Sequence, residues 1–289
     1  MKLIGFIGVG NMGTPMAMCL IRAGHQLIVC DKRSNALEKF KVIGVSITEK
    51  PADCAKSEMV IIMVGNDSQV EETLLGTNGL LKAVNPNQPP LLAIMSTILP
   101  GTVKKLASHC ADKNVRLMDA PVSGMPVLAE KGKLSIMAGG EKGDLEAMRP
   151  IFKIMGENIY YTGSLGTGNT TKLVNNIIGL TNLFLSAEAF QIGQKLGMDP
   201  RTLASIFENS TGRIFLTKDW ENSRKIFEIF SQSLETSKVT VELACKDLEH
   251  AQQLAKEANV ACPLFDHIVQ AIHDLSYKEI NERWHALIK

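Results

Sequence analysis

The sequence predicts an α/β protein in which an N-terminal Rossmann-type doubly wound sheet is followed by an all-α C-terminal domain, the two joined by a long interdomain helix. Three observations lead there. Short apolar runs alternate with helical patterns from residue 2 to about 163. A glycine fingerprint follows the first of these runs. Beyond Gly163 the apolar residues recur only at helical i, i+3, i+4 spacing.

The apolar runs come in the order KLIGFIG, QLIVCD, MVIIMV, PLLAIM and VRLMDAPV. They are rich in β-branched residues and apolar on both faces, which suits parallel strands covered by helices on each side. Helical segments such as Met12–Arg22 and Gly101–Cys110 lie between them, the mark of βαβ units. KLSIMAGG and NIYYTG read as two further strands flanking a helix around Asp144–Met155. A long helix is expected over about 169–196, and at 1.5 Å per residue it would span ~40 Å. Its entrance carries Lys172 just ahead of an uncharged stretch, Leu173–Ala187, which has Asn175 and Asn176 in its first turn. The expected domains are residues 1–163, binding NAD(P), and 164–289, for substrate and oligomerisation. No linker or repeat separates them, so the junction near Gly163–Gly168 is expected to be packed.

The composition is that of a soluble globular protein. The chain has 289 residues, 45% hydrophobic and 21% charged, with net charge +1. So small a charge argues against a nucleic-acid or anionic-membrane footprint. The uncharged helical stretch Leu173–Ala187, 15 residues, falls short of the ~20 apolar residues of a membrane span. The N-terminus enters a strand pattern directly, without the features of a secretory signal. Six cysteines are scattered singly and no histidines share a ligand spacing, so reduced thiols, a cytoplasmic location and no metal site are expected.

GFIGVGNMG places Gly8, Gly10 and Gly13 as G-x-G-x-x-G after the first strand. Gly8 suits the tight turn, Gly10 the approach of a pyrophosphate to the backbone, and Gly13 close helix–strand packing. The helix beginning near Asn11 and Met12 would aim its amides at the phosphates. The motif is weak by itself, but the second strand ends in Asp31, 18 residues after Gly13, near the ~20 expected for the acid that binds the ribose 2′-hydroxyl. Asp31 favours NAD. Lys32 and Arg33 follow on what reads as a solvated turn, and Arg33 offers a grip for a 2′-phosphate, which keeps NADP open.

DAPVSGMPVLAEKGKLSIMAGG places Ser123 and Gly124 just past a strand terminus, where open α/β sheets bind ligands. At this point the chain resembles the β-hydroxyacid dehydrogenases, the family of 3-hydroxyisobutyrate dehydrogenase and tartronate semialdehyde reductase. Four segments carry the resemblance in order: GFIGVGNMGTPMAMCL, DAPVSGMPVLAEKGKLSIMAGG, GSLGTGNTTKLVNN and KDLEHA. The resemblance implies that Ser123 and Gly124 bind a substrate carboxylate, Lys172 is the general acid/base, Asn176 hydrogen-bonds the substrate, and Lys246 and Asp247 close the site near coenzyme and substrate. It also implies a homodimer or homotetramer. Lys172 and Asn176 are i and i+4 and share a helix face, which is expected to look into a cleft while the rest is buried. Partial desolvation would lower the pKa of Lys172 toward its working range.

Some positions depart from the family pattern. Met125 stands where a second glycine usually follows Ser-Gly. The Met-Leu-Pro loop expected to contact the nicotinamide side reads Met63-Val64-Gly65. The family's Asp before Ser-Thr is Ile94, while Ser96 and Thr97 are retained, and Thr97 is expected at the coenzyme. A Pro-Gly-Phe loop before the late lysine reads Ser237-Lys238-Val239. These changes bear on the substrate, through Met125 and the expected loop before Lys246. Competing readings are an imine reductase on the same scaffold, which usually lacks the lysine, and a dinucleotide-sensing protein, which has no use for Lys172, Asn176 and Lys246 together.

Overall fold

In the computed structural model, which describes residues 2–288, nine strands form one sheet. They are β1 (Leu3–Ile7), β2 (Gln26–Cys30), β3 (Ser46–Thr48), β4 (Met59–Ile62), β5 (Leu91–Ile94), β6 (Arg116–Asp119), β7 (Val122–Ser123), β8 (Leu134–Gly139) and β9 (Gly156–Gly163). The order is β3-β2-β1-β4-β5-β6-β8-β7, with β9 paired to β8. The pairs from β3 through β6 are all parallel. Strand order reverses about β1, so β1 and β4 flank the switch point where such sheets bind ligands.

Alternation along the central strands sorts the core into two layers. Phe6, Ile61 and Ala93 join one cluster with Met16 and Leu20 of helix Gly13–Arg22 and Phe152 of helix Lys142–Met155. Ile7, Val60, Ile62, Leu92 and Ile94 join the other with Leu74 of helix Asp67–Leu75 and Leu106 of helix Pro100–Ala111. Every residue of β4 and β5 is buried, which is why these strands read as continuous apolar runs.

Two features differ from the sequence expectation. β3 has three residues, partly exposed, too short for a periodic signal. β8 runs antiparallel to β6 through the pair Asp119↔Gly139, a return that no hydrophobic period announces.

Clustering of contacts divides the chain into Met1–Lys172 and Leu173–Lys289. The second unit is helical: Pro200–Glu208, Trp220–Phe230, Leu234–Glu257, Pro263–Asp274 and Tyr277–Ala286 follow the long helix Thr167–Lys195. Its core is aromatic, with Phe190 4.7 Å from Trp220 and Phe230 5.5 Å from Trp284 between ring centroids. Side chains of Asp199, Asp219, Ser233 and Ser276 cap helix starts, and Ser276 forms a capping box with Glu279. Ser237-Lys238-Val239 is no loop. Helix Leu234–Glu257 runs through it, because the breakers proline and glycine are missing, and the buried Ser237 hydroxyl donates to the Phe230 carbonyl at 2.7 Å.

Helix Thr167–Lys195 is, by length and composition, apolar enough to cross a membrane. The sequence reading, which counted the uncharged run, does not anticipate this. A core helix of a soluble protein passes the same test, and 44% of its most apolar window is buried.

Candidate active site

The glycine loop is shaped by its neighbours. Gly8 has φ +93°, and a Cβ there would lie 2.3 Å from the Met63 carbonyl oxygen. A Cβ at Gly13 would lie 1.9 Å from the carbonyl oxygen of Gly8. Both positions therefore exclude a side chain. Gly10 is different: a Cβ there would meet only Arg33 Nη2, at 3.6 Å, so its backbone is open to a ligand. No side chain caps helix Gly13–Arg22 at Met12; Thr14 N donates to the Gly10 carbonyl at 3.0 Å, so an anion would meet the amides that precede Thr14. Asn11 is exposed and Met12 half-buried beside them. This loop fits a dinucleotide pyrophosphate.

Asp31 is buried next to the loop, and its acceptor positions are engaged. Oδ2 accepts from Val9 N at 2.9 Å and from Arg33 Nη2 at 3.1 Å. Oδ1 accepts from Arg33 N and Nε, both at 3.0 Å. Burial pushes the carboxyl pKa up, but the hydrogen bonds from Arg33 and Val9 outweigh it and hold the pKa below the ordinary carboxylate value. Arg33 is thus clamped beside Gly10 instead of lying loose on a turn, while Lys32 is exposed. The pair neutralises the charge that would repel a 2′-phosphate. An Arg33→Ala protein should bind NADPH about tenfold more weakly while its NADH affinity holds or rises, as read by coenzyme fluorescence titration. Equal loss for both coenzymes would contradict this role.

Ser96 pins the neighbouring loop. Its hydroxyl is buried, accepts from Val64 N at 2.8 Å and donates to the Ile62 carbonyl at 3.5 Å. Met63, Val64 and Thr97 are half-buried around it. Asp67 holds the next turn, accepting from Leu99 N at 3.0 Å and the Thr102 hydroxyl at 2.6 Å.

The start of the lysine-bearing helix is fixed from β6. Asp119 is fully buried, and accepts from Gly166 N and Asn169 N, each at 2.7 Å. The Asn169 side chain in turn accepts from Ile98 N at 3.0 Å. A carboxylate on helix-entry amides does the work of an N-cap from a distant strand. Burial raises the Asp119 pKa, against the lowering effect of those hydrogen bonds. Close approach requires glycine on both sides: a Cβ on Gly139 would lie 2.6 Å from Asp119 Oδ1, and one on Gly168 would lie 2.4 Å from the Met137 carbonyl oxygen. Lys172 follows Asn169 by three residues. Sequence reasoning missed Asp119, Asn169 and Ser96 as positioning residues. The signal was present, an Asp at a strand end and an Asn in GTGN, but nothing local joins residues 47 to 50 apart.

In the helical unit, Asn176 is 4% exposed and its Nδ2 donates to Asp247 Oδ2 at 2.8 Å. Lys246 Nζ lies 2.9 Å from Asp247 Oδ1. The structure thus brings together three of the residues singled out from sequence. In the other unit Ser123 ends β7 and Gly124 follows it, both half-buried. Among the described residues, no group of three or more His, Cys, Asp or Glu is arranged to hold a metal.

Comparison with known proteins identifies the family of both parts of the chain. Residues 3–163 match the family described as the NAD binding domain of 6-phosphogluconate dehydrogenase. Residues 166–286 match that described as NAD-binding of NADP-dependent 3-hydroxyisobutyrate dehydrogenase. The human mitochondrial 3-hydroxyisobutyrate dehydrogenase is 38% identical over 211 residues, 73% of this chain and 62% of that protein; the chain thus spans less than two thirds of that relative's length. An Arabidopsis thaliana protein named "Probable 3-hydroxyisobutyrate dehydrogenase, mitochondrial" is 34% identical over 294 residues, 98% of this chain and 83% of its own. A solved structure of Mycobacterium tuberculosis 3-hydroxyisobutyrate dehydrogenase with L-serine superposes with a TM-score of 0.77 at 25% identity, covering 100% of both chains.

Proposed function

This chain is a member of the β-hydroxyacid dehydrogenase family, and we propose that it interconverts a small 3-hydroxy acid and its semialdehyde, with NAD as coenzyme and NADP as a second. The observation that carries the reading is the presence in one chain of the glycine loop with Asp31 and of Lys172 one helical turn before the Asn176–Asp247–Lys246 cluster.

Gly8, Gly10, Gly13, Asn11 and Met12 would hold the pyrophosphate, Asp31, Lys32 and Arg33 the adenosine ribose, and Met63, Val64 and Thr97 the nicotinamide side. The bound nicotinamide supplies or accepts the hydride. Lys172 Nζ gives a proton to the carbonyl oxygen in reduction and takes it back in oxidation. The Ser123 hydroxyl and Gly124 amide hold the substrate carboxylate, and Asn176 hydrogen-bonds the reacting oxygen. Lys246 and Asp247 close the site, and the Asn176 bond to Asp247 keeps that amide oriented.

In this reading residues 1–163 form the coenzyme domain and 164–289 the substrate and oligomerisation domain. Homo-oligomer formation is supported by exposed Ile178, Leu185 and Ile192, seven residues apart on the long helix. We assign a cytoplasmic location, with neither nucleic acid nor membrane as partner; the human and Arabidopsis relatives are named as mitochondrial proteins.

The test is a panel of 3-hydroxy acids and semialdehydes followed at the nicotinamide absorbance with NAD(H) and NADP(H). Turnover of at least one pair is expected. Clear NADH binding without turnover of any would replace the enzyme with a dinucleotide sensor.

A further inference from the structure

Two cysteines meet beside the glycine loop. Cys30 closes β2, and Cys54 lies in the 3₁₀ helix Pro51–Lys56. Both belong to one apolar cluster, 1% and 0% exposed. Ile28 and Cys30 share a face of β2. The Cys54 thiol donates to the Ile28 carbonyl at 3.8 Å and is also hydrogen-bonded with the Cys30 thiol. Two features set the pair apart from ordinary core packing. The Ser57 hydroxyl, buried beside it, has no hydrogen-bond partner among the described residues. It converges with Cys54 on Gly5, where a Cβ would lie 2.8 Å from Cys54 Cβ and 3.3 Å from Ser57 Oγ. The second feature is position. The Cys30 carbonyl accepts from Gly8 N at 2.7 Å, and Asp31 is the next residue, so Cys30 ties the glycine turn to the acid of the coenzyme loop.

We propose that Cys30 and Cys54 form a redox modification site: hydrogen peroxide oxidises the two thiols to a disulfide, and the disulfide weakens coenzyme binding. The second half rests on the reading of the glycine loop and Asp31 as the coenzyme site. The Cys54 sulfur attacks one peroxide oxygen, the O–O bond breaks, and a sulfenic acid and one water result. The Ser57 hydroxyl offers the sulfenic O–H a partner. The Cys30 sulfur then attacks the Cys54 sulfur, the S–S bond forms, and a second water leaves. The two thiols lose two electrons and two protons, and the peroxide is reduced. Burial keeps both thiols unreactive in the closed fold. Access comes by local opening of Pro51–Lys56, six residues without a side-chain cap and with Asp53 and Lys56 exposed, because a short 3₁₀ turn is held less firmly than the sheet beneath it. Linking the sulfurs draws the end of β2 toward that turn, and Gly8 and Asp31 shift with Cys30.

The experiment treats the full chain with hydrogen peroxide and then with dithiothreitol, in the parent, Cys54→Ser and Cys262→Ser. Mass spectrometry follows the peptide linked through Cys30 and Cys54, and fluorescence titration follows NADH affinity. In the parent the linked peptide should appear, the Kd for NADH should rise about tenfold, and dithiothreitol should reverse both. Cys54→Ser should lose the response while its untreated affinity stays parental, and Cys262→Ser should keep the response. Cys54→Ala serves the same comparison if serine at this buried position unfolds the chain. Saturating NADH should protect the pair, since a ligand opposes any change that weakens its own binding. Absence of the linked peptide from the oxidised parent overturns the modification site. A linked peptide with NADH affinity within twofold of the reduced protein overturns the coupling. If the reduced parent binds no NADH, the coenzyme reading falls and the coupling with it, and the linked peptide still decides the site.

Discussion

Replacing Lys172 by alanine lowers turnover by about 10²–10⁴-fold, the range for losing a positioned general acid/base, while coenzyme affinity stays near that of the parent. The separation is expected because the groups assigned to the coenzyme lie on the glycine loop, at the end of β2 and around Ser96, none of which includes Lys172. The substitution is gentle on the fold, since alanine is the best helix former and the site lies inside helix Thr167–Lys195. Steady-state turnover, NADH titration and a thermal melt on the same preparation test it. Unchanged turnover would remove Lys172 from the chemistry. A fall in turnover matched by a collapse of the melt would mean that the residue is structural.

The second large effect is expected at Asp119, which touches no proposed ligand. Asp119→Ala leaves the buried amides of Gly166 and Asn169 without their acceptor. At about 1–3 kcal/mol for each buried unsatisfied donor, the loss is about 3 kcal/mol or more, a fall of roughly 10 °C in melting temperature for a unit of this size. Turnover should drop as well, by about tenfold or more, because the helix that carries Lys172 loses its anchor and small misplacements of a reacting group are costly. Asp119→Asn should be intermediate: it keeps one acceptor oxygen, while its new N–H₂ group faces a backbone donor. Parental stability in both variants would show that the helix entry holds without the carboxylate.

Much of this protein was legible before folding. The apolar runs gave the parallel strands because β4 and β5 are buried on both faces. Gly8 and Gly13 could be singled out because the fingerprint encodes a backbone constraint, and the structure shows what each would strike. Lys172, Asn176, Lys246 and Asp247 were named through the family resemblance. The expected loop at Ser237-Lys238-Val239 was carried over from the family pattern, whereas these residues have no helix breaker and fold as helix.

What the sequence determined by itself is what periodicity and fixed spacing can encode: the alternation of strands and helices, the glycine turn, and the candidate residues of each motif. Only the tertiary structure decided how distant polar groups pair. It joined Asp119 to the amides of Gly166 and Asn169, Asn176 to Asp247, and Ser96 to Val64. It also turned β8 antiparallel against β6 and wrapped Arg33 around Asp31. Hydrogen bonds are short-ranged and directional, so their partners are chosen once packing has brought the backbone within about 3 Å. A linear pattern carries no record of that distance.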